Sequence, residues 1–210
     1  MTSLDAYAGP MVTEHRFTGR IAGFGTASGT RIVVGIWAES PLGAFTDVML
    51  QDVDGHRTLL APSDEIAEFV SSTYSFDEVR VVPVTTRRVD GGLAVTAGDL
   101  SVRMRVGGLS TLGRLLRVVP SLVATHPAWL RVIDPVASRL VAGVHTAGTA
   151  GNGRQEFYGV TVIRALDDVV ATRSGESLGA MTPLDPPVTF GFGSAPPAPS
   201  IVDVVTTIRE

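Results

Sequence analysis

A chain of 210 residues with 44% hydrophobic and 18% charged side chains has the makeup of one folded domain whose core needs neither disulfide nor metal. It contains no cysteine and no lysine, and all 17 of its basic residues are arginine. Thiolate chemistry, Cys-ligated zinc, a lysine Schiff base and a P-loop lysine are therefore excluded for these residues.

Residues 17–24 and 31–37 read as strands joined by Gly25-Thr26-Ala27-Ser28-Gly29, whose small residues permit a tight reversal. Ser40-Pro41-Leu42-Gly43 is a turn. Strands over 45–51 and 56–61 follow, linked through Asp54-Gly55, a strong hairpin signal. Ser63 caps a predicted helix over 64–73. Asp64 and Glu65 sit at the positive end of its dipole, and Ile66, Phe69 and Val70 have the spacing of a core-facing stripe. The next strand, 80–88, is interrupted by Pro83, which marks an edge or a bulge.

Strands over 93–97 and 100–106 come next. In the second, Val102, Met104 and Val106 share one face, while Ser101, Arg103 and Arg105 share the other. Residues 112–119 and 126–140 have helical apolar spacing, with Pro120 ending the first and Pro135 kinking the second. They form a helical insertion over about 109–142. A glycine-rich link covers 146–153, and a long hairpin is expected over 154–166 and 169–173. A short strand over 188–192, an extended proline-rich stretch over 195–200 and a last strand over 201–208 complete the chain. Strands and helices do not alternate, so the expected fold class is mainly β. The architecture expected is an antiparallel β-barrel-like single domain over residues 1–210 with two to three packed helices.

Several motifs fail on their context. Gly175-Glu176-Ser177-Leu178-Gly179 has the spacing of a nucleophile elbow, but Pro183 and Pro186-Pro187 forbid the helix that must follow, so a β-turn is expected. Gly23-Phe24-Gly25 leads into β-branched Ile32-Val33-Val34 instead of a helix, against a dinucleotide loop. Gly148, Gly151 and Gly153 are not followed by Gly-Lys-Ser/Thr, which leaves nucleoside triphosphate chemistry without support. His15, His56, His126 and His145 show no ligand spacing, so neither a metal nor another cofactor is expected. The arginines have few interleaved aromatics and the net charge is −4, which argues against a nucleic-acid partner. Residues 1–10 include Asp5 and no apolar run, and no window reaches the roughly 18 apolar residues of a spanning helix. A cytoplasmic protein without a membrane partner is the expectation.

Charge is unevenly spread: ten arginines and three acids lie between Arg80 and Arg154, against seven arginines and eighteen acids elsewhere. Strand alternation puts Arg154, Glu156 and Tyr158 on one face, as it does Arg103 and Arg105 on theirs. Directed into a barrel, these faces give a pocket for a small organic anion, because guanidinium groups pair bidentately with carboxylates and phosphates. In that reading Arg103, Arg105 and Arg154 pair with the anion, and Glu156 and Tyr158 orient it. Two other readings stand beside it. One is an enzyme of unspecified reaction with Glu156 and His145 as acid and base. The other is a non-catalytic homodimer built through the apolar helices of 109–142.

The stretch Gly43-Ala44-Phe45-Thr46-Asp47-Val48-Met49-Leu50, the hairpin through Asp54-Gly55-His56-Arg57, the helix from Asp64 and the strands to Val106 come in a particular order. That order resembles the acetoacetate decarboxylase-like superfamily over about the first half of the chain. With Gly191-Phe192-Gly193-Ser194, the chain also resembles an actinobacterial family of unassigned function. The resemblance implies a barrel with a small-molecule cavity. The decarboxylases hold a β-keto acid as a lysine Schiff base, and a chain without lysine departs from them at that step.

Overall fold

A computed structural model describes residues 13–110, 113–114, 147–149, 155–191 and 196–209. Their strands are β1 (Glu14–Thr26), β2 (Arg31–Glu39), β3 (Phe45–Gln51), β4 (Arg57–Ala61), β5 (Glu78–Val81), β6 (Val84–Val89), β7 (Gly92–Ala97), β8 (Leu100–Leu109), β9 (Ala147–Thr149), β10 (Gln155–Arg173), β11 (Glu176–Ser177), β12 (Met181–Thr182) and β13 (Ser200–Arg209). Helix α1 (Asp64–Thr73) lies between β4 and β5. One sheet runs in the order β5-β4-β3-β2-β1-β13-β10-β8-β7-β6, with β9 and β11 added to β10 and β12 to β1. Every pairing is antiparallel except β4 with β5. Those two strands run parallel because α1 carries the chain back to the starting end before the next strand begins.

The sheet curls so that its two halves meet. Thr86 on β6 reaches Thr46 on β3, their hydroxyls 3.0 Å apart, although β6 and β3 are far apart in strand order. Inside the curl lies the main core, drawn from both halves: Phe24, Ile32, Val34 and Leu50 against Leu93, Val102, Met104 and Val169. The fold class is thus mainly β, a curled half-barrel with α1 packed against it. The parity of the strands decides what lies on the other face. On β2, Ile32, Val34 and Ile36 belong to the main core, while Trp37 joins a second cluster with Phe17, Phe45, Leu59 and the Ile66 and Val70 of α1. Both faces of β1 to β3 are therefore covered.

Helix α1 has the bounds expected from sequence. Ser63 is its N-cap in extended conformation, its Oγ accepting from the Ile66 N–H, and Tyr74 closes the C-terminal end through its own N–H to the Val70 carbonyl. The predicted strand over 80–88 is two strands, β5 and β6, parted at Val82-Pro83, where proline cannot donate to a ladder. The hairpin expected over 154–173 is one continuous strand, β10. Asp167-Asp168 lacks the glycine that a two-residue reversal favours. The chain continues instead, with register shifts at 160/162 against β13 and at 164/166 and 166/168 against β8, bulges that bend a long strand without reversing it. Residues 188–191 form no strand. The elbow-like segment is a tight reversal: Ser174 and Gly175 take φ of 54° and 84°, and β11 folds straight back on β10.

Of the helical insertion expected over 109–142, only 109–110 and 113–114 are among the described residues, so the helices over 112–119 and 126–140 and the dimer contact assigned to them lie outside. No helix among the described residues is long and apolar enough to cross a membrane.

Phe24 shows no exposure, and Val53 is 77% exposed. Phe24→Ala is expected to lower unfolding free energy in urea by about 3–5 kcal/mol, and Val53→Ala to change it by less than about 0.5 kcal/mol.

Candidate functional site

Where α1 lies over β1 to β3, the sheet and helix do not meet fully, and an apolar cleft remains between them. It holds about 810 Å³ of empty space, open mouth included. Its floor is the face of the sheet turned away from the main core: Val33, Gly35 and Trp37 of β2, and Phe45, Asp47 and Met49 of β3. Phe69 and Tyr74 form the helical side, and Val188 and Phe190 a further wall. The rings pack edge-on and tilted: Phe17 lies 5.2 Å from Phe69, 5.6 Å from Trp37 and 6.4 Å from Phe45.

Asp47 is the charged residue in this lining. It sits mid-strand with 1% of its surface exposed. Gly35 is its direct cross-strand partner. A Cβ on Gly35 would come 2.5 Å from Asp47 Oδ1 and 2.8 Å from Trp37 Nε1. The missing side chain is thus what lets the indole N–H of Trp37 lie across the strand and donate to Asp47 Oδ1 at 3.1 Å. Burial pushes the Asp47 carboxyl up to about 7, against the smaller lowering by the indole and by its own backbone N–H. Near neutral pH it exists in both protonation states.

A second carboxyl lies behind the wall. Glu156 is completely buried on β10, and the hydroxyls of Tyr158 and Tyr74 reach its Oε2 at 3.1 Å and 3.4 Å. The two phenols are also hydrogen-bonded to each other. Burial first, then the charge of Glu156, holds both phenols well above their ordinary range, so both are protonated donors at physiological pH. Tyr74 occupies this place because it ends α1, and Tyr158 because it is two residues from Glu156 on the same face of β10.

The outer wall is a strap, residues 184–191, held by side chains. Arg31 Nη1 donates to the carbonyls of Pro186 and Pro187 at 3.1 and 3.3 Å. Gln51 clasps Thr189 from both sides: its Nε2 donates to Thr189 Oγ1 at 2.7 Å and its Oε1 accepts the Thr189 N–H at 2.8 Å. Arg57 donates to the Thr189 carbonyl at 3.2 Å, and Ser75 N–H to that of Phe190 at 2.6 Å. A backbone whose polar groups are satisfied in this way has no use for a strand partner, which is why residues 188–191 form no strand.

The residues named from sequence divide. Glu156 and Tyr158 come together behind the cleft, Tyr158 in its lining. Arg103 and Arg105 are exposed, because Val102 and Met104 between and beside them fill the main core and alternation turns the guanidinium groups to the opposite side. Of the two directions open to that arginine face, a cavity or solvent, Arg103 and Arg105 take the second. The interior of the curl is packed with side chains and the apolar cleft lies on the other face of the sheet, while a second, more polar pocket is lined by Arg20, Arg88 and Arg164 beside Leu93, Val106 and Ile201. Arg154 and His145 lie outside the described residues. Asp47, Trp37, Gly35 and Tyr74 were not singled out. A carboxylate within Phe45-Thr46-Asp47-Val48-Met49-Leu50, a strand buried on both faces, was the available signal. Among the described residues no cluster of three or more His, Asp or Glu could hold a metal ion.

No family model matches the chain, and no curated protein does. Among solved structures, an acetoacetate decarboxylase from Legionella pneumophila matches at 8% identity with a TM-score of 0.45, over 99% of this chain and 95% of that one. A protein described as AttH from Nitrosomonas europaea matches at 11% identity with a TM-score of 0.26, over 96% of this chain. This chain spans 40% of the AttH chain.

Two outcomes follow from this geometry. Asp47 has a raised pKa in the folded state, so it contributes stability fully below its unfolded value of 3.8 and loses it as pH rises to about 7. Asp47→Asn keeps an oxygen for Trp37 and carries no charge; relative to wild type it should gain up to roughly 4 kcal/mol between pH 4 and pH 8 in urea titrations. Gln51→Ala should speed hydrogen exchange of the Thr189 amide about tenfold, read by NMR, because that N–H loses its acceptor.

Proposed function

We propose that this chain is a small-molecule-binding protein whose site is the cleft beneath α1. The observation that carries this reading is a buried carboxyl, Asp47, placed in an otherwise aromatic and aliphatic lining. Ligand sites combine a largely apolar wall with a few placed polar groups in this way. A carboxyl 1% exposed has a cost that packing alone does not repay. The ligand suited to the site has an apolar body that rests on the rings and one polar group that meets Asp47. The anion expected from the arginine faces finds no guanidinium in the described lining, and an ionised Asp47 would repel it. A role in proton transfer is the second reading, because a carboxyl poised at about 7 gives and takes protons readily at neutral pH.

The test uses the neutral fluorophore N-phenyl-1-naphthylamine. Binding with micromolar affinity to the wild-type chain is expected, with an affinity at least tenfold weaker for Val188→Trp, which places an indole from the strap into the cleft. Native mass spectrometry of the chain as purified is expected to show a small molecule released on denaturation. Equal affinity of wild type and Val188→Trp for the fluorophore, or no binding by either, overturns the assignment.

A further inference from the structure

The cleft has a chemical bias beyond being apolar. Its described lining holds the rings of Phe17, Trp37, Phe45, Phe69 and Phe190, two phenols, one carboxyl and no cationic side chain. Aromatic faces carry negative electrostatic potential and attract cations held over them within about 6 Å, more strongly as water is removed. A buried carboxylate adds a full charge of the same sign, in a low-dielectric setting where it acts strongly.

On that geometry, and resting on the cleft being a ligand site, we propose that its ligand is an organic cation: a protonated amine with an apolar body. The ammonium group pairs with Asp47, and the aromatic rings enclose the carbon attached to it. The arrangement is selective because Trp37 already holds Oδ1 of Asp47 in place at 3.1 Å, leaving the carboxylate oriented before the ligand arrives. The space that a side chain at position 35 would take is filled by the Asp47 carboxyl and the Trp37 indole, so the pair meets with nothing between them. On entering, the ammonium supplies the counter-charge that the described lining lacks.

Binding is then linked to protons. The amine seeks ionised Asp47, whose carboxyl is held at about 7 in the empty cleft. Affinity therefore rises as pH rises through that value, up to the pH at which the amine itself loses its proton. The titratable groups that line the cleft with Asp47 are Tyr74 from the end of α1 and Tyr158 from β10, beside the indole of Trp37 from β2, and Glu156 lies behind the two phenols. Both phenols stay protonated over this range, since they are shifted upward.

The probes are 2-phenylethylamine and its neutral analogue 2-phenylethanol, measured by calorimetry on the full chain. At pH 8 the amine is expected to bind at least tenfold more tightly than the alcohol. In Asp47→Asn that preference should fall to within twofold, and in wild type the amine's affinity should fall at least fivefold between pH 8 and pH 5.5. The alcohol binding as well as the amine, or Asp47→Asn keeping the preference, overturns the inference and leaves the cleft as a site for neutral molecules. Neither probe displacing bound N-phenyl-1-naphthylamine overturns it as well. If the fluorophore itself does not bind, the failure lies with the cleft as a site.

Discussion

Strands β1 to β3 must satisfy two interiors at once. Their odd and even residues face different packed regions, the main core on one side and the helix-covered cleft on the other. Little water reaches the buried positions on either side, so a polar side chain admitted to these strands is favoured when it finds a protein partner or changes its ionisation. Asp47 shows the second response, and the Glu156–Tyr158–Tyr74 chain, from β10 and the end of α1, shows the first in the neighbouring interior. Thr46 on the other face of β3 shows the first again, its hydroxyl meeting that of Thr86 where the sheet closes on itself. The chemistry of the site is thus a by-product of position: a carboxyl at the same place on a half-solvated strand would be an ordinary ionised aspartate.

Local signals carried much of the architecture. The α1 cap at Ser63, the acidic first turn and the Asp54-Gly55 reversal are sequence-local, and they appear where the sequence places them. Alternation in β8 correctly separated Val102 and Met104 from Arg103 and Arg105, yet it could not say which face lies inside. That choice depends on how far the sheet curls, a property of pairings between strands as distant as β1 and β13. The same limit hid the break of the supposed hairpin: Asp167-Asp168 reads as a polar interruption, but β8 and β13 on either side keep the strand extended through its bulges. The site was half legible. Glu156 and Tyr158 stood out as polar residues two apart. Asp47 and Tyr74 acquire meaning only when β3, the end of α1 and β10 converge, and no spacing in the chain announces that meeting.

The arginines follow a different logic. Those on β8 face solvent, while several others tie distant segments together. Arg173 on β10 reaches the carboxylate of Asp52 at 3.0 and 3.2 Å, and Arg31, with 6% exposure, joins the Asp52 carbonyl to the strap. Planar guanidinium groups suit such work, since one group can address several carbonyls at fixed angles. Their value here is in holding unlike pieces of chain in register, where an exposed ion pair would add little.

Because the strap is fastened by side chains outside the β-ladder, its sequence is released from strand geometry. Gln51, Arg31 and Arg57 grip carbonyls and one threonine, groups that survive exchange of the residues between them. Val188 can therefore change in size and shape without disturbing the sheet that carries Asp47, whereas Phe190 is buried against Phe76. Under the proposed reading, the floor with Asp47 sets the charge preference and Val188 on the strap sets the fit. A lineage could shift from one ligand to another by editing a few consecutive codons, and a protein engineer could randomise the same short stretch to obtain new binders.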